Sequence, residues 1–231
     1  MSVVKKRGFL SIKSFTLLLV ATVAATAIFA WKLSSNEHIP APEELEDYLF
    51  WQAKELSDFT LIGANNQTLG LDDLKGKWSF VFFGYTQCPD VCPITLGVLG
   101  SAFAILKQNP DIYPEVQGIF VSVDPKRDTP ELLKEYVSYF GSEFSGFTGS
   151  TEQIDAFTRQ MGALYAIHDE EPGEDPDAYL VTHNSAIFLV DPRGRLYGRF
   201  PPPPDAQSIA DTFIKLRAFY KEQDAKRWGF F

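Results

Sequence analysis

Two runs of the chain, Trp78–Gly84 (WSFVFFG) and Val116–Asp124 (VQGIFVSVD), are almost unbroken in apolar and aromatic residues. Runs this short fall below the usual length of a buried helix, and continuous rather than alternating hydrophobicity marks a strand covered on both faces. A strand covered on both faces needs helices above and below it, so the rest of the chain must supply them. Amphipathic stretches do follow: the patterning predicts helices over Pro93–Gln108, Pro130–Phe140, Thr151–Gly162 and Asp205–Lys221, and further strands over Asp58–Leu61, Ser185–Asp191 and Leu196–Phe200. Thr129-Pro130 and Ser150-Thr151-Glu152 carry the capping hydroxyl, proline or acid that opens a helix. Asp191-Pro192-Arg193-Gly194 reads as a turn joining an antiparallel pair that closes the sheet. The expectation is an α/β domain over residues 58–222, preceded by a linker or adapter segment over 34–57 with a helical leucine pattern at Leu45, Leu49 and Leu56. A short C-terminal tail, 223–231, follows it.

Charge divides the chain differently. Residues 1–33 hold Lys5, Lys6, Arg7, Lys13 and Lys32 and no acid; taking those 5 from the 21 basic residues leaves 16 against 30 acidic ones in the remainder. The net charge of −9 excludes a nucleic-acid backbone as partner, because phosphate binding needs clustered Lys and Arg. From Ser14 to Trp31 the chain runs 18 residues without a charge, at the lower end of the roughly 17 to 25 that a membrane-spanning helix needs. Residues 1–33 are therefore expected to form a single N-terminal transmembrane anchor. The basic cluster before it would stay inside, placing the domain in a periplasm or a mitochondrial intermembrane space. Ala25-Thr26-Ala27 offers the alternative of a cleaved signal peptide.

The chain has two cysteines, Cys88 and Cys92, too few for a disulfide scaffold or a four-thiolate zinc site. Both fall in FGYTQCPDVCP, where a buried strand ends and a helix begins. A thiol at a helix N-terminus is favoured as thiolate, the form that attacks disulfides or binds soft metals. Spacing i, i+4 places both sulfurs on one side of the first turn, near enough for a disulfide or a shared metal. A metal needs further ligands, and His183, in VTHNS just before the strand SAIFLV, is placed to face the cysteine loop if the sheet gathers its reactive loops at one edge. His38 and His168 lie in the linker and beside an acidic run, Asp169 to Asp177, read as a solvated loop.

FGYTQCPDVCP, then VSVDPKRDTP at Val121 to Pro130, then VTHNS, taken in that order, resemble the Sco/SenC proteins over about residues 56–222. The resemblance implies a thioredoxin-like fold and a membrane-anchored copper metallochaperone that helps assemble the dinuclear copper centre of cytochrome c oxidase. Carried over, it makes Cys88, Cys92 and His183 the metal ligands, with Cys88 and Cys92 also able to form a redox disulfide. It implies as partners the copper-accepting oxidase subunit, and other copper chaperones or thiol reductants. Two thiolates and an imidazole suit Cu(I) by softness and also accept Cu(II). One departure stands out: many members carry an acid directly before the histidine, where this chain has Thr182. Asp124–Pro130 is a signature of the family, but its physics is strand exit and helix capping, so these residues are left out of the ligand set.

Two other classes of function compete: a thiol–disulfide oxidoreductase acting on partner cysteines, and a redox or copper sensor. Thioredoxin-like reductases use C-x-x-C with a cis-proline before the facing strand. This chain has C-x-x-x-C, and the stretch between Pro176 and Pro192, which contains His183, has no proline. A peroxiredoxin would need a threonine where Tyr85 stands. The sequence therefore favours a chaperone over an enzyme.

Overall fold

In the computed structural model the described residues are 12–34, 40–168, 180–183, 185–202 and 205–228. Along the chain they form α1 (Ile12–Ser34), β1 (Leu49–Glu55), β2 (Thr60–Gly63), β3 (Thr68–Gly70), β4 (Trp78–Gly84), α2 (Val91–Leu106), β5 (Val116–Ser122) and α3 (Pro130–Ser138). There follow β6 (Phe144–Thr148), α4 (Thr151–Met161), β7 (Tyr165–His168), β8 (Leu180–His183), β9 (Ile187–Val190), β10 (Arg195–Phe200) and α5 (Ala206–Trp228). Residues 41–218 make one compact unit, while α1 and the end of α5 fall in another.

Among the described residues the main sheet has eight strands in the order β1-β10-β9-β4-β5-β6-β2-β3, and β7 and β8 form a separate antiparallel pair. Its middle is parallel: β4 pairs β5 residue for residue from Trp78↔Val116 to Gly84↔Ser122, and β5 pairs β6. The wings are antiparallel, β9, β10 and β1 on one side and β2 and β3 on the other. Every residue of β4 is buried, as its unbroken apolar run requires. Alternate side chains serve opposite faces. Phe80 packs its ring 5.3 Å from Phe103 of α2 and 5.0 Å from Phe213 of α5, whereas Phe83 meets Phe157 of α4 at 5.7 Å. Helix starts follow the sequence punctuation: Thr129 Oγ1 accepts from the Leu132 N–H, and Ser150 forms a capping box with Gln153.

Three expectations need correction. The segment 34–57 is not wholly a linker, and its leucines do not share a helix: Leu45 is buried in a short turn, and Leu49–Glu55 is strand β1 on the edge of the sheet. The Tyr48 carbonyl accepts the Arg199 N–H at 2.8 Å beside Gly198, where any side chain would collide with that carbonyl. Helical spacing of three leucines was therefore coincidental, and pairing with β10 decided the structure. The hairpin at Asp191–Gly194 forms as expected, but β10 is covered by β1, so the hairpin does not close the sheet. Residues 223–228 continue α5 as helix, with Lys226 and Glu222 paired at 2.7 Å, instead of forming a separate tail. The uncharged N-terminal run forms a helix, α1, as expected, with every side chain from Phe15 to Phe29 exposed; among the described residues no helix is long and apolar enough to cross a membrane.

Candidate metal centre

Parallel pairing of β4 with β5 brings the loops that leave their C-terminal ends together, the usual place for reactive groups in such sheets. The first loop carries both cysteines. Tyr85 O accepts the Cys88 N–H at 3.3 Å, which turns the chain into α2. Asp90 sits at the helix N-cap but makes no side-chain cap bond. Instead the Cys88 sulfur accepts the Cys92 N–H at 3.4 Å, a weak bond that uses one of the donors left over at a helix start. The two cysteines are reduced, buried, and neighbours across the first turn.

Cys92 is fully buried, and burial pushes its thiol well above the ordinary range, outweighing the opposing hydrogen bond with the Tyr85 backbone. Burial at this position thus opposes the thiolate that a helix start favours. The fold holds the neutral thiol, so this contribution to stability is present below the ionisation range of an exposed thiol, about 8.5, and is lost as pH rises above it. Any metal taken here must displace that proton. The sulfur of Cys92 sits over Gly84, where a Cβ would lie 2.7 Å from it and 2.8 Å from the Phe120 ring.

The second loop holds the first in place. Asp128 is buried, and its carboxylate accepts from the Thr86 N–H at 2.9 Å, the Thr86 hydroxyl at 2.5 Å and the Ser122 hydroxyl at 2.5 Å. Arg127 pairs with buried Asp124 and lays its guanidinium 5.6 Å from the centre of the Tyr85 ring. By sequence this loop carries the residues of strand exit and helix capping. Thr129 does cap α3, but Asp128 beside it anchors the cysteine loop. The available signal was topological, since loops that leave adjacent parallel strands at the same end must meet.

Placement of the third expected ligand is settled for the backbone alone. His183 closes β8, a strand of its own rather than the approach to β9, opposite Tyr165 in the register; its side chain, like residues 169–179, lies outside what is described. Two residues earlier, the backbone of Val181 hydrogen-bonds the Tyr85 phenol, whose ionisation is raised first by burial and then by the Cys88 charge. Strand β8 thus reaches the cysteine loop through Tyr85. Among the described residues no group of three His, Cys, Asp or Glu side chains is placed to hold a metal ion. The described donor set is the two sulfurs, which suit a soft ion.

A reduced, buried dithiol at the first strand-to-helix junction of a mixed sheet with helices on both faces defines a thioredoxin-like α/β domain. The SCO1/SenC pattern matches residues 51–218, and the chain belongs to that family. It is 38% identical over 156 residues to the SCO2-like protein of Rickettsia prowazekii, covering 67% of this chain and 73% of that protein. To the mitochondrial SCO2 homologue of Bos taurus it is 31% identical over 206 residues, 89% of this chain and 76% of that one. Among solved structures it resembles copper-bound ScoI of Arabidopsis thaliana, with TM-score 0.62, 32% identity and coverage of 69% of this chain and 95% of that one. It also resembles apo Sco1 of Thermus thermophilus, with TM-score 0.63, 35% identity and coverage of 74% and 94%.

Proposed function

We propose that the protein is a copper metallochaperone that takes up copper at Cys88 and Cys92, with His183 as third ligand, and helps assemble the copper centre of cytochrome c oxidase. The observation that carries this reading is the reduced, buried pair of sulfurs at the start of α2, tethered through Tyr85 to the strand that ends in His183. Copper-bound relatives of the same fold support it. Copper is cargo here: it binds as the thiol protons leave, and passes to an acceptor by exchange of one sulfur ligand for another. Oxidation of the pair to a disulfide removes two electrons and two protons, taken up by a partner disulfide, and blocks loading until a thiol reductant returns them. A reductase acting on partner cysteines would use the same sulfurs, but burial of Cys92 as a neutral thiol weighs against attack by that residue.

Full-length protein, reduced under anaerobic conditions, is expected to bind one copper per chain, with two sulfurs and one nitrogen seen by x-ray absorption. His183→Ala is expected to lose the nitrogen, and Cys88→Ser to lose tight binding altogether. Absence of copper beyond a trace, together with ready cycling of the pair against a dithiol partner, would replace this reading with the reductase.

Attachment to a membrane through residues 1–33, with the domain on the periplasmic or intermembrane-space side, belongs to the same proposal. Its support is the exposed apolar surface of α1 and the basic residues that precede it. The full-length chain is expected to sediment with membranes and to resist an alkaline carbonate wash; recovery in the soluble fraction would remove the anchor.

A further inference from the structure

Tyr136 of α3 is the unexplained polar group near the sulfurs. Its hydroxyl is buried and has no hydrogen-bond partner among the described residues. A buried hydroxyl left unpaired destabilises a fold, so its retention calls for a state in which a partner arrives. The ring is fixed between Phe120, centroid to centroid 5.5 Å, and Phe140, at 5.3 Å. Phe120 is also the ring that, with the Cys92 sulfur, crowds the open side of Gly84, so one aromatic side chain neighbours both Tyr136 and the Cys92 site. The nearby carboxylate of Asp128 is already occupied by Thr86 and Ser122. The sulfurs are the neighbouring groups whose charge changes when a metal binds.

We propose that Tyr136 is a positioning residue of the cysteine pair: its hydroxyl donates a hydrogen bond, directly or through one water, to the negative charge that Cys92 and Cys88 acquire as metal-bound thiolates. This rests on the reading of the pair as a metal site. Burial, and after it the charge of Cys92, Cys88 and Asp128, pushes the phenol's own ionisation up, so the group stays a donor when the thiolates form. In surroundings so poor in water, such a bond is stronger than at the surface.

The test compares full-length wild type, Tyr136→Phe and, as a control on the same helix end, the 75% exposed Tyr139 as Tyr139→Phe. Three readouts are taken: Cu(I) affinity by competition with a chromophoric chelator, the sulfur-to-Cu(II) charge-transfer spectrum, and thermal unfolding of the metal-free protein. Tyr136→Phe is expected to weaken Cu(I) binding roughly tenfold and to shift the charge-transfer band, without lowering the unfolding temperature of the metal-free form; Tyr139→Phe is expected to change none of the three. Unchanged affinity and spectrum in Tyr136→Phe, with wild type binding normally, would overturn the proposal and leave the metal site standing. A fall in metal-free stability that accounts for the whole loss would make the role structural and overturn it as well. Wild type that binds no copper would overturn the metal site and this inference together.

Discussion

Asp128→Ala is expected to destabilise the domain by roughly 3 to 5 kcal/mol and to release the cysteine loop. The carboxylate accepts three hydrogen bonds in a buried setting, two from Thr86 and one from Ser122, and its removal leaves a backbone N–H and two hydroxyls without an acceptor. Each such orphan costs about 1 to 3 kcal/mol when water cannot reach it. Thr86 stands two residues before Cys88, so the same change frees the segment that presents the first sulfur to α2. Urea unfolding with a two-state fit measures the loss, and copper affinity measures the site. Asp128→Asn, which keeps one acceptor oxygen but turns an N–H toward the other donors, should fall between wild type and alanine. A loss below about 1 kcal/mol in the alanine variant would mean that the loop is held by its other contacts and that Asp128 does not anchor it.

Gly84→Ala is expected to strike the site more directly. A methyl group at this position would lie 2.7 Å from the Cys92 sulfur and 2.8 Å from the Phe120 ring, both well inside contact distance. Neither neighbour yields easily: Cys92 is fixed in the first turn of α2, and Phe120 is fully buried in β5. Overpacking of this kind costs about 1 to 3 kcal/mol, and relief by moving Cys92 separates the two sulfurs. The expected result is a folded but less stable protein whose copper–thiolate spectrum is altered and whose affinity falls with it. Wild-type spectrum and affinity in the alanine variant would show that the sulfur has room the geometry does not display.

Some of the molecule was legible in the residues themselves. The strands β4 and β5, and the helices α2, α3 and α4, lie within a few residues of where the patterning placed them, because continuous apolar runs and capping residues act locally. The cysteine pair was equally plain, since strand, turn and helix start follow one another in FGYTQCPDVCP. Of the other strands, β2, β9 and β10 also lie near their expected places, but β1 and β6 were not legible. Phe144–Thr148 (FSGFT) is short, centred on glycine and half polar, yet it becomes β6 because β5 offers it a parallel partner and Phe144 and Phe147 find burial there. Leu49–Glu55 showed helical spacing and became an edge strand for the same reason, a partner 140 or so residues away in β10.

The chemistry divides along the same line. The sequence by itself determined which residues carry sulfur, how far apart they lie and that a helix begins between them, because these are properties of neighbours along the chain. Only the tertiary structure decided the electrostatic state of Cys92. Closing β4 against β5 buries Cys92 over Gly84, and the desolvation that follows pushes its thiol up, against the thiolate that a helix start favours. The same closure brings Asp128, 36 residues beyond Cys92, to the cysteine loop. Burial and the meeting of distant loops are set by how strands pair, and a linear pattern of apolar and polar residues carries no register between segments so far apart.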